Sequence, residues 1–347
     1  MKLMEILRAA RAKQASDVHL VAGLPPAVRI NGEILMANAA PIEAAALRRM
    51  IEEILNEDQR RHLEAERELC LSVFDGEAGR VRVALYYHAG NLEMAARLCT
   101  LLIPDRASLG LPPIVDELAR KPNGLVLIAG PTGSGKTTTL NYMVDLINRE
   151  RRCKIVMIED PVEYVHRPQK SIVVQQEVYT DTHSFPRALV HVLRQNPDVI
   201  VVGEMRELDA IRTALTAAET GHLVLATLHT PNTTQTVERI TAVFPEGQQE
   251  QIILQLANSL QAVVTQVLLP RADRKGRVLA CEIMVANGAV RNIIREKNIQ
   301  LLYGVVETSR KDGMMTLDHS LLDLYQKAVI TYDVAVTHAR SPERFTS

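Results

Sequence analysis

The stretch Gly124-Leu125-Val126-Leu127-Ile128-Ala129-Gly130-Pro131-Thr132-Gly133-Ser134-Gly135-Lys136-Thr137, running on into TTLNYMVDLIN (138–148), decides how this chain folds. Its first half is a short uninterrupted apolar run, the pattern of a strand buried on both faces. Its second half matches G-x-x-x-x-G-K-[ST] and opens a helical periodicity. In a strand–loop–helix arrangement of this kind, consecutive backbone N–H groups converge on phosphate oxygens. The helix N-terminus adds partial positive charge. Lys136 has the reach for β and γ phosphates, and the Thr137 hydroxyl can ligate Mg2+. The candidate nucleotide-binding set is Gly130, Pro131, Thr132, Gly133, Ser134, Gly135, Lys136, Thr137 and Thr138.

Downstream, apolar strands alternate with helices: KIVMIED (154–160), SFPRALVHVLRQN (184–196), VIVVGE (199–204), ELDAIRTALTAAET (207–220), HLVLATLHT (222–230) and TTQTVERITAVF (233–244). This alternation predicts an α/β fold with a parallel sheet covered on both faces. From about 247 the chain reads as mostly helical, with one strand in GRVLACEIMV (276–285). Ligands of open parallel sheets bind beyond the carboxyl ends of the strands. Those ends carry Glu159, Asp160 and Glu163, then Glu204, then Thr227, His229 and Thr230. Carboxylates and a histidine on one edge can orient water, accept its proton and share in holding Mg2+. His222 and His229 bracket one strand, so about seven residues at ~3.3 Å hold them roughly 20 Å apart, too far to share a zinc ion.

Upstream the pattern is different. Residues 1–15 read as an amphipathic helix and SDVHLVAG (16–23) as a strand. VRI-Asn31-Gly32-EIL (28–35) reads as a tight hairpin, because Asn-Gly tolerates two positive φ angles. PIEAAALRRMIEEILNEDQRRHLEAERE (41–68) reads as helix, with Pro41 suited to its first turn. CLSVFD, GRVRVALYYHA and NLEMAARLC follow as strands. Hairpin-linked strands predict a smaller α+β domain over 1–102. IPDRASLGLPP (103–113) breaks both periodicities and reads as a linker, leaving 114–347 as the second domain.

The 347 residues carry 40 Lys+Arg against 41 Asp+Glu, so the chain lacks the positive excess that dominates nucleic-acid affinity. Eight Tyr, four Phe and no Trp leave little for base-stacking platforms. No apolar run has the roughly 18 residues that span a bilayer. The four cysteines (Cys70, Cys99, Cys153, Cys281) are isolated, as in a protein of a reducing cytoplasm.

GPTGSGKTTTL (130–140), IEDPVEY (158–164), VVGEMREL (201–208) and ALTAAETGHLVLATLHT (214–230) resemble, in order and spacing, the Walker A motif, Asp box, Walker B motif and His box of the type II/type IV secretion ATPase superfamily. ASDVHLVAGLPPAVRINGEI (15–34) and GMMTLDHSLLDLYQ (313–326) look like its PilT-like, pilus-retraction branch. The resemblance implies a PAS-like N-terminal domain and a RecA-like C-terminal domain with a helical region from about 247. It also implies a homohexamer binding ATP with Mg2+. It makes Glu163 the catalytic base and Glu204 the Walker B acid, a metal ligand with Thr137. His229, with His222, would sense or position the γ-phosphate. Arg82 and Arg97 match arginines that neutralise transition-state charge.

GAVRNIIREKN (288–298) resembles a motif that retraction needs beyond ATP turnover, here Ala289, Val290, Arg291, Asn292, Ile293, Ile294, Arg295 and Glu296. Its periodicity puts Val290, Ile293 and Ile294 on an apolar face and presents Arg291 and Arg295 outward. The implied partner is an inner-membrane pilus platform protein, which the chain would meet from the cytoplasm without spanning the membrane itself. Around Arg82 the chain reads Arg82-Val83-Ala84-Leu85-Tyr86, and before the Walker B motif Gln195-Asn196-Pro197-Asp198, both unlike the usual retraction pattern. An accessory paralogue that binds ATP and co-assembles with a more active motor is the alternative. A RecA-like nucleic-acid motor is a more distant one.

Overall fold

The computed structural model describes residues 2–30, 32–99, 102–205 and 207–345. Asn31, half of the expected Asn-Gly turn, lies outside the described residues. The chain divides into two compact units. One comprises residues up to Ile103 together with 158–167 and 175–188, and the other comprises 104–157, 168–174 and 189 onward.

The first unit contains α1 (Leu3–Ala12), β1 (Asp17–Leu20), β2 (Ala27–Ile30), β3 (Glu33–Met36), α2 (Ala44–Glu52), α3 (Glu57–Glu66), β4 (Glu68–Asp75), β5 (Gly79–His88) and β6 (Asn91–Leu98). Its strands form an antiparallel sheet in the order β3-β2-β1-β6-β5-β4. Along β5 the alternation is strict: Val81, Val83 and Leu85 are buried, while Arg80 and Arg82 point to the other face. The buried faces meet Leu7, Leu47, Ile51 and Leu63 of the three helices in one aliphatic core. Burying each such side chain contributes roughly 1.5–3 kcal/mol.

The expected single helix over 41–68 is two. Asn56 accepts from the Gln59 N–H at 2.8 Å, and the Gln59 side chain accepts from the Asn56 N–H at 3.0 Å, a capping box that starts a new helix. Pro41 lies before α2 rather than in its first turn.

The rest of the chain forms α4 (Arg106–Leu109), α5 (Ile114–Ala119), β7 (Gly124–Ala129), α6 (Lys136–Glu150), β8 (Lys154–Glu159), β9 (Ile172–Glu177), α7 (Phe185–Val192), β10 (Val199–Val202), α8 (Leu208–Glu219), β11 (Leu223–Leu228), α9 (Thr233–Ala242), α10 (Glu246–Ser259), β12 (Leu260–Pro270), β13 (Arg277–Val285), α11 (Gly288–Arg295), α12 (Leu302–Thr308), α13 (Leu317–Gln326) and α14 (Tyr332–His338). The sheet order is β13-β12-β7-β11-β10-β8-β9. β12, β7, β11 and β10 run parallel, with β13 antiparallel at the edge. Every residue of β7, β10 and β11 is buried, as a sheet covered on both faces requires.

Two strands escaped the sequence pattern. β12 belies the expectation of helix from 247, because α10 ends at Ser259 and the strand begins at Leu260 with no turn residue between them. β9 ends in Gln175-Gln176-Glu177, which masks its β character. Among the described residues no helix is long and apolar enough to cross a membrane.

Candidate functional site

The glycine loop leaves the carboxyl end of β7 and enters α6 at Lys136. Gly130 is required there: a Cβ would lie 2.4 Å from the Gln266 carbonyl oxygen, and its φ is +140°. Gly135, at φ +92°, is the N-cap of α6 and offers no side chain to its first turn, which leaves the positive helix end open to an anion. Ser134 Oγ is buried and makes no hydrogen bond to protein.

Lys136 is buried, and its Nζ donates to the carbonyls of Gly130 at 2.8 Å and Pro131 at 3.0 Å. Burial lowers its pKa, against the pull of Glu204. His229 Nδ1 stands 3.5 Å from the same ammonium, and His229 Nε2 stands 2.9 Å from Glu204 Oε1. An ammonium only donates, so Nδ1 accepts and Nε2–H points to the carboxylate. Adjacent parallel strands β10 and β11 deliver Glu204 and His229, and the Thr227 hydroxyl ties the two strand ends by donating to the Gly203 carbonyl.

The structure separates His222 from this group. It precedes β11, its carbonyl accepts from the Gly124 N–H at 3.0 Å, and its Nδ1 lies 3.0 Å from the Ala217 carbonyl. It therefore sits level with the start of β7, at the opposite end from the loop. Within one chain it does not join His229 at one phosphate.

In the other unit Arg82 Nη1 donates to Glu163 Oε1 at 2.9 Å, with the two side chains 39% and 31% exposed. Arg97 is directly opposite Arg82 across β5 and β6, pairs with Asp17 at 2.9 Å, and is 71% exposed. Glu159 is not a solvated strand-end acid. It is buried, accepts from Gln175 Nε2 at 2.8 Å, and burial pushes its pKa up to about 7 despite that bond.

The 289–296 segment forms α11 and its C-cap, with Val290 and Ile294 buried as expected and Ile293 half-buried. Arg291 departs from the expected outward presentation. Its Nη1 donates to the carbonyls of Ala257 at 2.6 Å and Asn258 at 2.7 Å, so it caps the C-terminus of α10. The exposed cation of the pair is Arg295.

Sequence reasoning passed over Arg80, Gln175 and Glu177, whose side chains bond the backbone beside Glu163. For Arg80 a signal existed in the alternation of GRVRVA, which puts it on the same strand face as Arg82. It also passed over Arg277, whose Nη1 donates to the Gly133 carbonyl at 3.4 Å.

The family model described as Type II/IV secretion system protein matches residues 111–327. The type IV pilus retraction ATPase PilT of Pseudomonas aeruginosa is 40% identical over 99% of this chain and 100% of its own length. The type IV pilus ATPase PilU of the same organism is 37% identical over 98% of this chain and 89% of its own. A crystal structure of the pilus retraction motor PilT with bound ADP superposes with a TM-score of 0.91 at 41% identity, covering 99% of each chain.

Proposed function

The chain belongs to the type II/IV secretion system protein family, and on that premise we propose that it is a homohexameric, ATP-hydrolysing motor that powers type IV pilus retraction. The observation that supports this best is the line Glu204–His229–Lys136 set behind a phosphate loop, in a chain similar over its length to a retraction ATPase.

In this reading the loop and Lys136 hold the phosphates, and His229, oriented by Glu204, meets the γ-phosphate. A water oxygen bonds to the γ-phosphorus as the bond to the bridging oxygen breaks. ADP leaves with that electron pair, and the water proton passes to the Glu163 carboxylate. Arg82 and Arg97 neutralise the developing charge, a contribution that reaches ~10³–10⁵ in rate for such arginines. Arg82 is bonded to Glu163 within one unit, so in this reading the arginine and the base are coupled. The Thr137 hydroxyl and Glu204 carboxylate are hard oxygen donors of the kind Mg2+ takes together with phosphate oxygens. When bound, Mg2+ neutralises β- and γ-phosphate charge.

The proposed partner is an inner-membrane platform protein met at the cytoplasmic base of the pilus, with α11 as the candidate contact. The expected result is that Lys136→Ala or Glu204→Ala abolishes phosphate release, and retained turnover in either overturns the mechanism. In cells lacking the chain, wild type should restore retraction and Glu204→Ala should not.

The similarity to PilU supports a second reading, an accessory ATPase co-assembling with a paralogue. It predicts nucleotide binding and hexamers with little turnover by the chain alone.

A further inference from the structure

Glu163 is half-exposed at its carboxylate, yet the backbone on either side of it is held at four points. Three of those bonds come from one strand. Gln175 and Glu177 are two apart on β9 and so share a face. Gln175 Nε2 donates to the Tyr164 carbonyl at 2.7 Å, and Gln175 Oε1 accepts from the His166 N–H at 3.0 Å. Glu177 Oε2 accepts from the Val162 N–H at 3.0 Å. The fourth bond comes from Arg80, whose Nε donates to the Val162 carbonyl at 2.9 Å.

The two grips are themselves anchored. Glu177, only 1% exposed, takes Arg80 Nη2 at 2.9 Å, the Ser72 N–H at 2.9 Å, the Ser72 hydroxyl and the Thr180 hydroxyl. Gln175 also donates to buried Glu159. Arg80 and Arg82 lie on one face of β5. The first grips Glu177 and the second grips Glu163 itself.

We propose that Gln175 and Glu177 of β9 are positioning residues that aim the Glu163 carboxylate, with Arg80 completing the clamp. A buried, fully bonded ion pair is poor value as stabilisation alone, because apolar replacements of equal volume are often as stable. What it supplies is geometry. Here its bonds converge on the peptides adjoining one half-exposed acid, where displacement by about 1 Å lowers a rate ~10²-fold. The inference rests on Glu163 being the base.

The test uses the full-length protein and compares Gln175→Leu and Arg80→Lys with Glu163→Gln. Arg80→Lys keeps a cation for Glu177 but removes the Nε donor to Val162, so it is the milder probe should Gln175→Leu fold poorly. We expect kcat to fall ~10–100-fold in Gln175→Leu and by less in Arg80→Lys. KM for ATP and the affinity for a fluorescent ADP analogue should stay within about twofold, a split that general loosening of the fold would not give. Adding Gln175→Leu to Glu163→Gln should cost no further turnover. If Glu163→Gln itself turns over normally, the base assignment fails and this inference falls with it. The base assignment survives and the clamp is overturned if Glu163→Gln is inactive while Gln175→Leu and Arg80→Lys keep wild-type kcat. A fall in ADP affinity parallel to kcat, or a further loss in the double variant, also overturns the clamp.

Discussion

Two loops carry the proposed chemistry, and they are shaped by opposite means. The 130–135 loop is shaped from within. Its glycines take positive φ angles that other residues rarely adopt, and Lys136 folds back onto the carbonyls of Gly130 and Pro131. The 160–166 loop is shaped from outside, by Gln175, Glu177 and Arg80, which come from β9 and β5. A loop of the first kind is written in consecutive residues. One of the second kind exists only after the strands that hold it have formed.

The largest expected effect breaks the self-shaped loop. In Gly130→Ala the new methyl would lie 2.4 Å from the Gln266 carbonyl oxygen, so backbone rather than a flexible side chain must shift. Phosphate release should fall at least ~10³-fold, which corresponds to about 4 kcal/mol. Gly133→Ala is the control within the loop. Its φ is +78°, but nothing lies within 4 Å of the added carbon. The strain alone is about 1–2 kcal/mol, so roughly a tenfold loss is expected. Equal losses in both variants would show that space around Gly130 is not what shapes the loop.

The next effect sharpens the other half. Glu159, beneath the clamp, has a folded pKa of about 7 because burial disfavours its charge. The native state therefore binds more protons than the unfolded state from near pH 4.5 up to 7. Stability should fall as pH rises through that window, and the full penalty remains above it. Glu159→Gln keeps an acceptor for Gln175 without the charge. Its unfolding free energy in urea should match wild type below pH 4.5 and exceed it at pH 8 by on the order of 3 kcal/mol. A gap that does not change with pH would remove Glu159 from the titrating groups.

This contrast also explains what could be read in advance. The strand–loop–helix of β7 and α6, the parallel core strands and the acids at their ends follow from periodicity and neighbouring residue types. The α2–α3 break was legible in principle, since Asn56 and Gln59 stand at capping-box spacing. Other features were not. β12 follows α10 without a turn, and β9 ends in polar residues whose partners are far along the chain. The resemblance gives His222 a γ-phosphate role together with His229, while strand length, at ~3.3 Å per residue, sets the two at opposite ends of β11.

The smallest expected effect poses the same contrast within one helix. Arg291 and Arg295 are one turn apart on α11, and periodicity treats them alike. Only Arg291 reaches another element, the last carbonyls of α10, and its burial lowers its pKa with Arg295 nearby. A cation hydrogen-bonded at a helix C-terminus is worth about 1–2 kcal/mol. At roughly 2–4 °C per kcal/mol for a domain of this size, Arg291→Ala should lower the melting temperature by about 2–8 °C. Arg295→Ala should leave it within about 2 °C, because exposed substitutions rarely exceed ±0.5 kcal/mol. If the motif acts through a partner surface, Arg295→Ala should still impair retraction at unchanged melting temperature. The Arg291→Ala defect should then be relieved in part by stabilising α10, for instance with Asn258→Lys. Equal thermal losses in the two arginine variants would mean that α11 is held by charge in general rather than by the cap Arg291 makes.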